Sequence, residues 1–122
     1  MLLRIDFDSD EAIYLQLRNQ IILGIAMEQL KEGENLPSVR QMADEIGINM
    51  HTVNKAYALL KQEGFLKLDR RHGAIIAIDI DKLKAMEEMK KDLRFIVAES
   101  ICKGITKEEA VELVREVYDE FE

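Results

Sequence analysis

The sequence predicts a mainly α fold with one small β element, and three observations carry that expectation. Two short helical patterns are separated by only Gly47, Ile48 and Asn49. Two runs rich in β-formers, Phe65 to Leu68 and Ala74 to Ile78, flank a turn that holds Gly73. Everything from Asp79 onward is helical in pattern, with one proline in the whole chain and no tryptophan. Together they predict a winged helix-turn-helix over residues 1–78, followed by a C-terminal helical hairpin over residues 79–122.

Each element has its own local reason. After an apolar start at Leu2, Leu3 and Ile5, an acidic run carries the capping types Ser9 and Asp10, so a helix is expected to begin near Ala12. Ile13, Leu17, Ile21 and Ile25 recur at helical spacing and extend it to about Leu30, before Gly33 and Pro37 interrupt. Ser38 with Gln41 three residues later forms a capping-box pattern for a helix from Val39 to about Ile46, and Gly47 supplies its left-handed stop. Asn49 is the expected cap of the next helix, whose inward stripe is Val53, Ala56, Tyr57 and Leu60 and whose end is set by Gly64.

In the tail, Leu83, Met86, Leu93, Ile96, Val97 and Ile101 fall on one side of a long helix ending at Gly104. Thr106 and Glu109 make a second capping box, opening a helix on which Ala110, Leu113, Val114, Val117 and Phe121 are expected to face inward. Two helices cannot cover that much apolar stripe on each other, so the tail must pack on the first domain or on a second copy.

Composition excludes several classes. A length of 122 residues leaves no room for a large multidomain enzyme, and the single Cys102 cannot form an intrachain disulfide. No signal-peptide pattern or membrane-length apolar run is present, so a cytoplasmic location and no membrane partner are expected. His51, His72 and Cys102 do not make a metal-ligand spacing. No phosphate loop or nucleophile motif occurs, so no metal, no cofactor and no enzyme activity are expected.

The net charge of −7 argues at first against a polyanionic partner. Its distribution reverses that. Residues 80–122 hold eight basic and twelve acidic side chains, a local −4, whereas residues 49–73 hold five basic and two acidic, a local +3.

The segments Ile13-Tyr14-Leu15-Gln16-Leu17, Leu36-Pro37-Ser38-Val39-Arg40-Gln41-Met42-Ala43 and Ile48-Asn49-Met50-His51-Thr52-Val53-Asn54-Lys55-Ala56-Tyr57 resemble the winged helix-turn-helix of GntR-family bacterial transcription regulators. Glu63-Gly64-Phe65-Leu66 and Gly73 continue the match, and the short two-helix tail resembles the YtrA subfamily, in which that hairpin serves dimerisation. The resemblance implies a homodimeric repressor that binds a palindromic double-stranded DNA operator through a recognition helix (about 49–63) and a wing (about 65–78).

It further implies DNA contacts from Ser38, Arg40, Asn49, Met50, His51, Thr52, Asn54, Lys55, Arg70, Arg71, His72 and Gly73, and dimer contacts from Leu83, Met86, Leu93, Val97, Ile101, Leu113, Val117 and Phe121. The chain departs from the family pattern near Met50 and Asn54, where many members carry arginine, and at Ala74, where threonine is usual; Asn54 is then a candidate for adenine. Three other local readings stay open. Arg40 could pair with Asp44, Thr52 could be a cap, and Cys102 could be a redox sensor or a small core residue.

A small-molecule effector would have to bind where the wing domain meets the tail or at the dimer interface. The alternative function is a winged-helix module that binds protein and not DNA, supported by the acidic total.

Overall fold

A computed structural model describes residues 3–122, so the expectation placed on Leu2 lies outside it. The chain divides into two compact units, Met1–Asp79 and Ile80–Glu122. The first contains α1 (Ile13–Ala26), α2 (Val39–Ile46), α3 (Met50–Gln62), β1 (Leu66–Asp69) and β2 (Gly73–Ile76); the second contains α4 (Lys82–Cys102) and α5 (Lys107–Asp119).

The core of the first unit is built from the expected stripes. Leu17 and Ile21 of α1, Met42 and Ala43 of α2, and Val53, Ala56, Tyr57 and Leu60 of α3 are buried together with Leu66, Ala74 and Ile76 of the strands. Spacing of three and four residues puts each helix's apolar side chains on one face, and burying that face is the main driving force for packing.

The start of α1 differs from expectation. Its N-cap is Ala12, which makes no side-chain cap, and Ser9 accepts only from the Glu11 amide. The backbone before the helix is instead fastened by Gln16, the one buried polar side chain among the described residues. Its amide oxygen accepts from the Asp6 amide at 2.8 Å, and its nitrogen donates to the carbonyls of Asp6 and Glu11 at 2.9 Å each.

The helix also ends at Ala26, short of Leu30. Glu28 takes φ of +61°, and the amides of Gln29 and Leu30 both turn back to the Gly24 carbonyl, which drops Leu30 into the core as a loop residue.

The capping box of Ser38 and Gln41 forms as expected, and Gly47, at φ +76°, ends α2 in the left-handed region that costs glycine least. Asn49 accepts from the His51 amide at 2.8 Å and starts α3. β1 and β2 pair antiparallel with Leu66 opposite Ile76 and Asp69 opposite Gly73, leaving Arg70, Arg71 and His72 as the loop. Both strands are shifted toward the turn relative to the β-rich runs, with Phe65, Ala77 and Ile78 outside them and Asp69 and Gly73 inside.

A third extended segment was not foreseen. Asn35 bridges Ile75 antiparallel, the Leu36 amide donates to Ala74, and the Ile76 amide donates to Glu34. β2 is thus paired on both sides, while β1 has β2 as its only ladder partner among the described residues.

The second unit corrects an expectation. The capping box of Thr106 and Glu109 forms, and its backbone hydrogen bond, followed by the Thr106 hydroxyl, holds the Glu109 carboxyl below its usual range. The apolar stripes do not face inward, however, because α4 and α5 bury no residue in the single chain. Leu83, Met86, Val97, Ile101, Leu113 and Val117 are exposed, Ile101 to 71%, and only Leu93 among the expected dimer residues is half-buried. Phe121 is also exposed and lies past the end of α5.

Candidate nucleic-acid interface

The tight turn between α2 and α3 decides which side chains are presented. Burial of Val53, Ala56, Tyr57 and Leu60 turns the opposite face of α3 to solvent, and a 100° step per residue places His51 and Lys55 on it and Asn54 at its edge, while Met50, in line with Tyr57, is left uncovered as the first residue of the helix. All four are exposed. Thr52 is half-buried and its hydroxyl makes no hydrogen bond among the described residues, so the cap at this end is Asn49 alone.

On α2, Ser38 and Arg40 are exposed, and Arg40 has no ion pair with Asp44 or any other described residue. The Arg40–Asp44 pair that a four-residue spacing allows is therefore not formed.

Lys55 is held in an unexpected way. Its ammonium lies 4.1 Å from the ring centroid of Tyr14 on α1, within cation–π range, so this side chain sits at the α1 edge of the exposed face.

Of the two acids between residues 49 and 73, Glu63 receives two hydrogen bonds from the Arg18 guanidinium, at 2.8 and 2.9 Å. Asp69 is turned onto the wing loop. One of its oxygens accepts from the amides of Arg71 at 2.7 Å and His72 at 3.3 Å, and the other lies 3.2 Å from His72 Nδ1. The Arg71 amide first, then the His72 ring, hold its carboxyl below the usual carboxylate range.

Arg70, Arg71, His72 and Gly73 are all exposed at the tip of the hairpin, and neither arginine is in an ion pair among the described residues. Gly73 has φ of +74°, which closes the loop without a Cβ penalty. Sequence reasoning missed Asn35, whose side-chain amide donates to the His72 carbonyl. Asn35 lies 37 residues away from His72 and belongs to no expected strand, so no local signal marks it.

The sequence signature described as "Bacterial regulatory proteins, gntR family" matches residues 10–76, more than half of the chain. The chain belongs to the GntR family. The match spans the helices, turn and wing just described, which makes this a DNA-binding transcription regulator.

The relatives that it matches along nearly their whole length include YtrA. The chain is 33% identical over 114 residues to the uncharacterised HTH-type transcriptional regulator YhcF of Bacillus subtilis, covering 89% of this chain and 92% of that one. It is 29% identical over 119 residues to the HTH-type transcriptional repressor YtrA of the same organism, covering 95% and 92%. Among solved structures it resembles YtrA from Sulfolobus acidocaldarius, a GntR-family transcription factor, with 36% identity, a TM-score of 0.60 and coverage of 96% and 97%. These matches run past the GntR signature into α4 and α5. No helix among the described residues is long and apolar enough to cross a membrane.

Proposed function

We propose that this GntR-family regulator is a homodimeric repressor that reads a palindromic operator, with residues 1–78 as the DNA-binding domain and residues 79–122 as the dimerisation tail. In this reading α3 enters the major groove and the wing approaches the neighbouring minor groove. Asn54, His51 and Met50 face base edges, Ser38, Arg40, Asn49, Thr52 and Lys55 meet phosphates, and Arg70, Arg71, His72 and Gly73 serve the wing contact.

One observation carries the reading. Between residues 49 and 73, five basic side chains face two carboxylates, and both carboxylates are engaged within the protein, Glu63 by Arg18 and Asp69 by the wing loop. The surface left to a partner is therefore cationic although the whole chain is acidic, and a polyanion is the partner that such a surface attracts.

The exposed stripes of α4 and α5 support a second copy as the cover for the tail. An isologous dimer would present two recognition helices to half-sites about 34–36 Å apart. Repression fits the curated relative YtrA, itself named a repressor, and would follow from occluding polymerase at the promoter. A small-molecule effector would act by altering the separation of the two recognition helices.

Selection of bound sequences from a random DNA pool, followed by titration at increasing salt, tests the reading. A palindromic consensus is expected, with affinity falling steeply at about 0.9 log units per log unit of salt for each phosphate neutralised. An affinity that stays flat with salt, or a selection that yields no consensus, would overturn it.

A further inference from the structure

The wing loop is gripped from two sides. From within, Asp69 closes it by accepting from the Arg71 and His72 amides, and its second oxygen faces the His72 ring. From outside, Asn35 donates its side-chain amide to the His72 carbonyl.

Asn35 is itself fixed. The segment around it is laddered to β2 by Leu36 to Ala74 at 2.9 Å, Ile76 to Glu34 at 2.8 Å and Gly33 to Ile76 at 2.8 Å. That segment runs directly into Pro37 and the Ser38 cap of α2. One short stretch of chain therefore grips the wing loop at Asn35 and, three residues later, begins the first helix of the helix-turn-helix.

An exposed loop with two arginines would ordinarily sample many conformations, and ordering it on DNA would cost affinity. A loop already held avoids that loss. We propose that Asn35 and Asp69 are positioning residues for DNA binding, a two-sided clamp that presets the loop Arg70–His72 in the shape in which it docks. The inference rests on the reading that the wing meets DNA. Neither residue need touch the nucleic acid, since each acts through the backbone of the loop.

The test separates the clamp from that reading by using one measurement without DNA and one with it. In the free protein, amide order parameters at Arg71 and His72 are expected near the rigid value of about 0.85, and Asn35→Ala or Asn35→Leu is expected to lower them toward 0.6. Asp69→Asn keeps an acceptor oxygen and is expected to stay rigid, whereas Asp69→Ala loosens the loop.

With the selected operator, Asn35→Ala and Asn35→Leu are each expected to weaken binding about three- to tenfold, the scale of one net hydrogen bond. In a protein already carrying Arg70→Ala and Arg71→Ala, the same changes are expected to add little, because the contacts they position are gone. Order parameters that do not move overturn the clamp. So does a loss that persists in full without the arginines, which would place the role of Asn35 in the general fold. A loop that loosens while the wild-type protein shows no operator to bind counts against the DNA reading and leaves the clamp standing.

Discussion

The phenolic hydroxyl of Tyr57 donates a 2.8 Å hydrogen bond to the carbonyl of Pro37. Tyr57 lies on the inner face of α3, and Pro37 immediately precedes the Ser38 cap of α2. A single part-buried hydrogen bond therefore ties α3 to the entrance of α2, 20 residues earlier in the chain. Gly47 sets the turn at one end of the pair, and Tyr57 sets the spacing at the other.

Tyr57→Phe should leave the Pro37 carbonyl without its donor and lower the unfolding free energy by about 1–2 kcal/mol in urea denaturation. The pH dependence has a definite sign. Burial first, and the nearby Glu45 carboxylate second, push the phenol above the ordinary tyrosine range. The stabilisation is then complete below the unfolded value of about 10 and is lost as pH rises above it, when the unfolded chain ionises and the folded one resists. A stability curve from pH 8 upward should fall more gently for the Phe variant.

Arg40→Ala should leave the melting temperature within about 1 °C of wild type, since this side chain has no ion pair to lose among the described residues. Binding should weaken for operator and random DNA alike, and the salt slope should shrink by about 0.9. Asn54→Ala should instead relax the preference at one base pair, read by repeating the selection.

Lys55 and Tyr14 should behave as a coupled pair. Tyr14→Phe keeps the ring face and should bind like wild type, whereas Tyr14→Leu should lose about two- to fivefold in DNA affinity, the scale of an exposed cation–π contact. Lys55→Met should abolish the difference between the Tyr14 variants. Fluorescence anisotropy on one operator measures all of these.

Ile101→Glu on α4 should convert a dimer to a monomer in sedimentation equilibrium and reduce operator affinity more than tenfold, because two linked half-sites become independent. Helix content by circular dichroism should hold, since Ile101 is 71% exposed in the single chain and supports no packing there.

Local chemistry made much of this legible. Ser38 with Gln41 and Thr106 with Glu109 read as capping boxes because both partners lie within four residues, and both form. The core stripe of α3 followed from spacing alone, as did the exposed positions opposite it. What escaped depends on residues distant in sequence. Gln16 replaces the expected Ser9 or Asp10 cap by gripping Asp6 and Glu11, a use of a glutamine near the start of a helix that spacing does not announce. The early end of α1 turns on Glu28 taking a positive φ, which residue type alone disfavours. The apolar stripes of the tail lie on α4 and α5, and in the single chain they stand uncovered, since periodicity names an apolar face without naming its cover.

The free side of β1 bears on how the protein behaves at high concentration. An unpaired strand invites edge-to-edge stacking between molecules, and Leu68, half exposed there, is the sort of side chain that would promote it. β1 is only four residues long, and charged Lys67 and Asp69 alternate with its leucines. These are the features by which natural sheets resist aggregation, so the wing can remain uncovered while the regulator waits for its operator.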